Sequence, residues 1–463
     1  MNLMALLAAL VVASPFSDHM VLQRDRPVAI WGEATPGTEV TVELAGGSRS
    51  SVTADAAGAW RVTLPAMPAS KEPRTLTVAA GGEKVSFEDV VVGEVWLAAG
   101  QSNMELPLWS ETPRYRDDHG VTVAQATHLP YVRFGTMPIS WKTSEEPRKY
   151  TRTKFSWCRA EPENLRGVRR WSAVAFWYAR ELFLALDVPV GVIGLYQGGT
   201  KIALWTPNNA DGTTGGLFNE IVAPIRPYTV RGLVWYQGCS DGGTADYGER
   251  MHLLYRGWKA AFENPELPIY FVQIPHQGGA LPLRQVKFAE EEPRAGMTVI
   301  NDVANPFDVH PAPKEIVAQR LALFALKRDY GFKDITADPP KAVAAVREGE
   351  GVRVRFANAK SLYVYNDDQT LPKGFEIAGA DGKFRPAEVL DFTKVTNSAG
   401  VVKAKYGGDF TKKPELLLSA DGVTEPRRVR YLFDRNLRGS VFSEVNLPLG
   451  VFDLEVAAAE PEP

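Results

Sequence analysis

Five continuous apolar runs constrain what the middle of this chain can fold into. They are Val91-Val-Gly-Glu-Val-Trp-Leu-Ala-Ala99, Val190-Gly-Val-Ile-Gly-Leu-Tyr196, Arg231-Gly-Leu-Val-Trp-Tyr236, Pro268-Ile-Tyr-Phe-Val-Gln-Ile274 and Gly296-Met-Thr-Val-Ile-Asn301. Runs of this kind, without alternation, suit strands buried on both faces of a parallel sheet. Helical patterns lie between them, clearest over 171–186 and 313–330. The second has Pro313 in its opening turn and Gly331 just past its end, the punctuation that helices favour. Residues 93–337 therefore read as an α/β domain, an open sheet flanked by helices.

The flanks read differently. Residues 15–92 contain short runs (28–32, 38–44, 59–64 and 74–78) that alternate apolar and polar side chains between Gly- and Pro-containing turns. Several strands at such close spacing mean a sandwich or barrel. β signals return over 338–456, at 352–356, 362–365, 415–419 and 428–433, and residues 457–463 read as a disordered tail. The first 14 residues are apolar and carry a small-residue cleavage pattern, Val11-x-Ala13, without a positively charged leader. They read as a signal peptide, which implies a secreted or periplasmic protein; a first β-strand or a truncated gene start are the alternatives. No later segment approaches the ~20 apolar residues that span a bilayer.

At 463 residues with 45% hydrophobic and 23% charged side chains, the chain can bury one or more sizeable cores. A net charge of -3 gives no broad basic field, which excludes nucleic acid and an anionic membrane surface as expected partners. Cys158 and Cys239 make no disulfide framework and match no metal-ligand spacing. A single bridge between them stays open, although both sit in segments that read as core or site.

Ligands of open α/β sheets bind beyond the carboxyl ends of the strands. The five apolar runs lead, in order, into Gly100-Gln-Ser-Asn-Met104, Gln197-Gly-Gly-Thr200, Gln237-Gly-Cys-Ser240, His276 and Asp302. A nucleophile candidate, Ser102, thus shares one sheet edge with two Gly-rich turns. Taken alone, Ser102 reads as a helix N-cap. It does not sit in a Gly-x-Ser-x-Gly elbow, because Met104 holds the second Gly position. A serine nucleophile needs a base, and of six histidines His310 is the best placed. It stands in the turn-rich run Asn305-Pro-Phe-Asp-Val-His-Pro311 ahead of the 313–330 helix, whereas His19, His119, His128 and His252 read as surface or packed helix positions and His276 as a substrate contact or loop residue. Asp308 and Asp302 compete as the third member, and a backbone carbonyl in their place would leave a dyad. Acyl transfer also needs donors for the developing oxyanion, each worth about 3–4 kcal/mol. The Ser102 amide, an amide of the Gly198–Gly199 turn and the Gln237 side chain are available, and glycine permits the close approach.

These residues resemble the sialate O-acetylesterase family of the SGNH-hydrolase superfamily. The likeness runs through Phe16-Ser-Asp-His-Met-Val-Leu-Gln-Arg24, Val28-Ala-Ile-Trp-Gly32, Gly93-Glu-Val-Trp-Leu-Ala-Ala-Gly-Gln-Ser-Asn-Met-Glu105, Val190-Gly-Val-Ile-Gly194, Gly198-Gly-Thr200, Trp235-Tyr-Gln-Gly238, Phe271-Val-Gln273, Asp308-Val-His-Pro-x-x-Lys314 and Asn446-Leu-Pro-Leu-Gly-Val-Phe452. It implies an SGNH-like three-layer α/β/α catalytic domain between N- and C-terminal β-sandwich-like modules. It maps Ser102 onto the nucleophile, His310 onto the base, with Asp308 the nearest acid, and Gln237 onto an oxyanion position; Asn103 anchors the nucleophile turn, and Gln101 joins the oxyanion or substrate-binding group with Gly198 and Gly199. The implied activity is hydrolysis of O-acetyl esters of sialic acid by an acyl-enzyme, with an O-acetylated sugar or glycan as partner and no metal or cofactor. The alternatives are acetylated xylan or pectin as substrate, or a decayed glycan-binding protein. Trp109, Trp205, Trp235 and Tyr236 would stack a sugar or pack the core, and Arg284 or Lys201 would meet a sugar carboxylate or solvent. Two departures stand out. The family usually has Glu where this chain has Cys239, and the superfamily's Asp-x-x-His would put Asp where Phe307 stands.

Overall fold

The computed structural model describes residues 10–458 apart from 111–117, 139–140, 166–170, 208–214, 276–277, 306, 366–371, 392, 397–401 and 406–410; of 393–396 and 402–405 only the backbone is described. The protein is α/β with several sheets. It divides into two compact units, one of Met1–Ser240, Glu249–Ile269 and Lys314–Ala322, the other of Asp241–Gly248, Tyr270–Pro313 and Leu323–Pro463.

In the first unit, strands β1 (Val11–Val12), β2 (Val21–Gln23), β3 (Val28–Glu33), β4 (Glu39–Leu44), β5 (Arg49–Thr53), β6 (Ala59–Leu64) and β7 (Ser70–Ala80) lead into β8 (Glu83–Gly100). β3 pairs antiparallel with β1 and β6, and β4 with β5 and β7. Alternation does the sorting here: in β6 Trp60, Val62 and Leu64 are buried while Arg61 and Thr63 are exposed. Residues 1–9 of the expected signal peptide lie outside the described residues. Val11 and Val12 are a strand opposite Glu33 and Gly32, and Ala13 N–H donates to Trp31 O at 2.9 Å. Cleavage after Ala13 would remove that strand.

β8 is one strand with two characters. Its first half leaves side chains exposed or half-buried by turns, and residues 90–100 are buried throughout. The first half pairs antiparallel with β7. The second lies parallel to β11 (Val190–Tyr196) on one side and β12 (Gly232–Tyr236) on the other. A strand with a neighbour on each side and both faces covered admits a polar side chain only where it is paired, as Glu94 is with Arg24 and Arg231, which is why residues 95–99 read as unbroken apolar. β9 (Leu129–Thr136) pairs parallel with β11 and antiparallel with β10 (Ser156–Ala160). The helix Ala173–Leu186 is capped by the Ser172 side chain, which accepts from Ala175 N–H. No helix among the described residues is long and apolar enough to cross a membrane.

In the second unit Gln273 N–H bonds Thr298 O between the expected strands, here Ile269–Val272 and Ala295–Thr298. Two four-stranded antiparallel sheets come next. One joins Lys341–Glu348, Gly351–Ala357, Glu415–Ser419 and Glu388–Val389; the other joins Phe384–Pro386, Phe375–Ala378, Arg428–Tyr431 and Phe452–Glu455. Val352, Val354, Phe356, Phe375, Ile377, Leu416, Leu418, Val429, Tyr431 and Phe452 share one core. The expected tail begins later than the composition implied, because Ala457 still exchanges backbone bonds with Ala345 and Arg347; residues 459–463 lie outside the described residues.

Candidate active site

Parallel register sets three strand ends level. Tyr196 of β11 and Tyr236 of β12 both lie opposite Gly100, the last residue of β8. The turns that leave these ends, at Gln101–Asn103, Gln197–Gly199 and Gln237–Cys239, therefore start from one line across the sheet. Gly100 has φ +144°, and a Cβ there would lie 2.2 Å from Tyr236 O. Only glycine fits at that point.

Ser102 is the first residue of a one-turn helix, Ser102–Glu105, and half-buried. Gln101 takes the N-cap position with no side-chain cap bond, so the capping reading of Ser102 does not hold. The Ser102 amide is one of the helix-start donors that no intrahelical carbonyl can reach. Gln101 is buried, and its side chain is directed at the third turn. Its Oε1 accepts from Gly238 N–H at 3.0 Å and Ser240 N–H at 3.3 Å, and its Nε2 donates to Ser240 Oγ at 3.3 Å. Gln237 is fully buried and donates from Nε2 to Thr200 O at 3.0 Å. These two amides bind the turns to one another.

In the second turn the Gly198 N–H donates to Glu105 Oε2 at 2.5 Å. A Cβ on Gly198 would stand 3.4 Å from Ser102 Cβ, so the turn lies against the serine. The expectation of an oxyanion donor in this turn thereby narrows, since the Gly198 amide already has a carboxylate acceptor. Gly199 is exposed, has φ +71°, and faces open space where a Cβ would be. On the opposite flank, Asn103 is buried. Its Nδ2 donates to Cys239 Sγ at 3.7 Å, and its Oδ1 accepts from Lys314 Nζ at 2.5 Å. Lys314 is itself buried, with its ammonium 5.3 Å from the centre of the Tyr236 ring. Burial pushes the Cys239 thiol up to about 11, against the Asn103 hydrogen bond and the Lys314 charge. No disulfide joins Cys158 and Cys239.

The second unit holds Asp308 and His310. Asn305 turns the chain: its Oδ1 accepts from Phe307 N–H and its carbonyl from Asp308 N–H. Asp308 Oδ1 accepts from His310 N–H at 3.0 Å and lies 3.4 Å from His310 Nδ1. Both side chains are largely buried, at 12% and 15% exposure, while Phe307 between Asn305 and Asp308 is 92% exposed. The position where the superfamily pattern would put Asp thus faces solvent. Asp302 lies near Tyr431, whose buried hydroxyl is pushed up to about 12 by burial, with the Asp302 charge a lesser contribution.

Other candidates fall elsewhere. His19 pairs with Asp89, His119 stacks on Trp177, His128 is exposed, and His276 lies outside the described residues. Trp205 and Trp235 are fully buried and meet edge to face at 6.1 Å; with buried Tyr236 they are core, not sugar platforms. Trp109 is half-buried, Arg284 half-buried and Lys201 exposed. Glu105 and Lys314 were given no role by sequence, although both stand in the motifs that carry the resemblance. A charged residue held inside such a motif is the signal that would have found them, since Lys and Glu are almost never buried unless paired.

A sheet edge that presents a serine, glycine turns and oriented amides defines an ester hydrolase, and known proteins agree. Residues 92–305 match the family described as carbohydrate esterase, sialic acid-specific acetylesterase. That stretch includes Ser102, Gly198, Gly199 and Gln237 and stops before Asp308. A sialate O-acetylesterase of Homo sapiens is 28% identical over 386 residues, covering 71% of this chain and 72% of that protein. The corresponding protein of Mus musculus is 26% identical over 414 residues, covering 71% and 75%. The crystal structure of a carbohydrate acetylesterase from Xanthomonas citri superposes with a TM-score of 0.83 at 29% identity, covering 96% of this chain and 99% of that one. The protein is an enzyme that acts on ester bonds. Over residues 92–305 it is similar to the sialic acid-specific acetylesterase family of carbohydrate esterases.

Proposed function

We propose that this enzyme removes O-acetyl groups from sialic acid by two-step acyl transfer, with Ser102 as nucleophile and His310 as base. The observation that carries the reading is the level register of Gly100, Tyr196 and Tyr236, which starts the serine turn and both Gly-rich turns from one line. His310 takes the Ser102 proton as the hydroxyl oxygen attacks the acetyl carbonyl, then returns it to the departing sugar oxygen. Water repeats the sequence on the acetyl-enzyme. Asp308, at ion-pair distance from His310 Nδ1, orients the ring. The Ser102 amide and an amide of the Gly198–Gly199 turn receive the oxyanion, while Gln101, Gln237 and Asn103 hold the turns that present them.

The domain reading that accompanies this function is an SGNH-like three-layer catalytic domain over 93–337 between β-sandwich-like modules at 15–92 and 338–456. An apolar leader ahead of residue 15 fits export to a compartment where glycans are met.

Released acetate, measured on 9-O-acetylated sialic acid, acetylated xylan and acetylated pectin, tests the substrate. Sialic acid is expected to be preferred; preference for xylan or pectin would reassign it. Ser102→Ala is expected to abolish p-nitrophenyl acetate hydrolysis while the fold is kept, and retained turnover would remove Ser102 from the chemistry.

A further inference from the structure

Glu105 sits on the same short helix as Ser102, is 8% exposed, and accepts the Gly198 amide at 2.5 Å. A carboxylate taken this far out of water needs strong partners, and here one partner is the backbone of the turn that touches the nucleophile. The rest of that turn is held as firmly. Gln197 N–H donates to Gly100 O at 3.1 Å, Thr200 Oγ1 donates to Gln197 O at 2.7 Å, Trp205 Nε1 donates to Thr200 Oγ1 at 3.0 Å, and Gln237 Nε2 donates to Thr200 O at 3.0 Å. These bonds take up the amides of Gln197 and Gly198 and the carbonyls of Gln197 and Thr200. None of them uses the amides of Gly199 and Thr200; Thr200 is buried, whereas Gly199 is exposed and at positive φ, so its amide is the one open to a ligand.

We propose that Glu105 is a positioning residue: by accepting the Gly198 amide it fixes the 197–200 turn so that the Gly199 amide, together with that of Ser102, receives the oxyanion. The proposal rests on Ser102 as nucleophile. An oxyanion donor acts only if it is aimed before the reaction begins, and a displacement of about 1 Å costs on the order of 100-fold in rate. Glycine at 198 is part of the same device, because a Cβ there would stand 3.1 Å from Glu105 Oε2, closer than ordinary contact.

Glu105→Ala and Glu105→Gln, assayed with p-nitrophenyl acetate beside wild type and Ser102→Ala, test this. Glu105→Ala is expected to lower kcat about 10- to 100-fold with KM within about threefold, and to raise deuterium uptake in the peptide spanning 195–202. Glu105→Gln keeps an acceptor oxygen and is expected to restore at least a third of wild-type kcat and the protection. Unchanged kcat in a folded Glu105→Ala overturns the proposal, as does a folded Glu105→Gln as inactive as the alanine variant. Should Glu105→Ala fail to fold, the Gln variant decides alone. Activity in Ser102→Ala would instead overturn the nucleophile assignment, so the two failures are told apart.

Discussion

Lys314 Nζ donates to Asn103 Oδ1 at 2.5 Å, across 211 residues of sequence. It ties the start of the helix Lys314–Arg328 to the residue next to Ser102. A buried ammonium is tolerated when its donors are met, and the Asn103 oxygen and the Tyr236 ring face meet it here. Lys314→Met keeps most of the bulk and removes the donor, so the Asn103 acceptor is stranded. The expected loss is about 1.5–3 kcal/mol, the range for hydrogen bonds to charged groups, seen as a melting transition several degrees lower. Asn103 also carries the Cys239 contact, so turnover should fall with it. A melting temperature and kcat equal to wild type would refute the role.

Asp308 and Asp302 make different predictions. Asp308 Oδ1 receives the His310 backbone amide and lies 3.4 Å from its ring nitrogen. Asp308→Asn retains an oxygen for the backbone amide and loses the charge that orients an imidazole and stabilises its protonated form. If Asp308 is the acid member, kcat should fall by about 10³–10⁴. Asp302→Asn should leave kcat within a fewfold. A small effect from both variants would mean that the enzyme works as a dyad.

How contacts are made decides which features were legible in the sequence. The strands around Ser102 could be read because burial on both faces of a parallel sheet imposes an unbroken apolar run, and the runs at 190–196 and 231–236 coincide with strands to within a residue. Their level ends could be read too, since turn residues mark them. The N-cap reading of Ser102 failed because Gln101, the residue between the strand end at Gly100 and the helix, takes that position. Gln101 and Gln237 read as oxyanion or substrate residues because an amide looks the same in sequence whether it faces a ligand or another turn. Glu105 and Lys314 reach partners 93 and 211 residues away, and no local pattern encodes such a pairing. Trp205 and Trp235 obey the same logic: an aromatic near a strand end is core or platform according to packing alone.

Glu94 gives the first unit an acid limit. It is fully buried on β8 and accepts from Arg24 Nε at 2.5 Å, Arg231 Nε at 3.0 Å and Gln23 Nε2 at 3.1 Å. Burial alone would raise its pKa, but the hydrogen bonds from Arg231, Arg24 and Gln23 and the Arg231 charge outweigh this and hold it below the ordinary 4.5. A depressed folded value means that the unfolded chain binds the proton first. The stabilisation is therefore complete above pH 4.5 and is lost as pH falls through the folded value. Thermal melts from pH 7 to pH 3 should show this loss in wild type and a shallower one in Glu94→Gln. At pH 7 that variant should already be about 3–5 kcal/mol less stable, because two arginines are left without their carboxylate.

Cys239 lies in the turn that follows β12, and its environment makes it a quiet thiol. Burial raises it from 9.0 to about 11, while the Asn103 hydrogen bond and the Lys314 charge pull the other way. Only the thiolate reacts with alkylating reagents. At pH 8 a shift of this size leaves about 100-fold less thiolate than in the unfolded chain. Iodoacetamide labelling of Cys239, read by mass spectrometry, should therefore be about 100-fold slower in the folded enzyme than in urea. The linkage has a definite sign. Between pH 9 and 11 the unfolded chain has shed the proton that the folded protein keeps, so stability falls as pH rises through that window. Cys239→Ser does not titrate there and should remove this part of the alkaline loss. Lys314→Met, which deletes the charge that favours the thiolate, should slow labelling further; faster labelling in that variant would show that Lys314 shields the sulfur rather than acting on it through its charge.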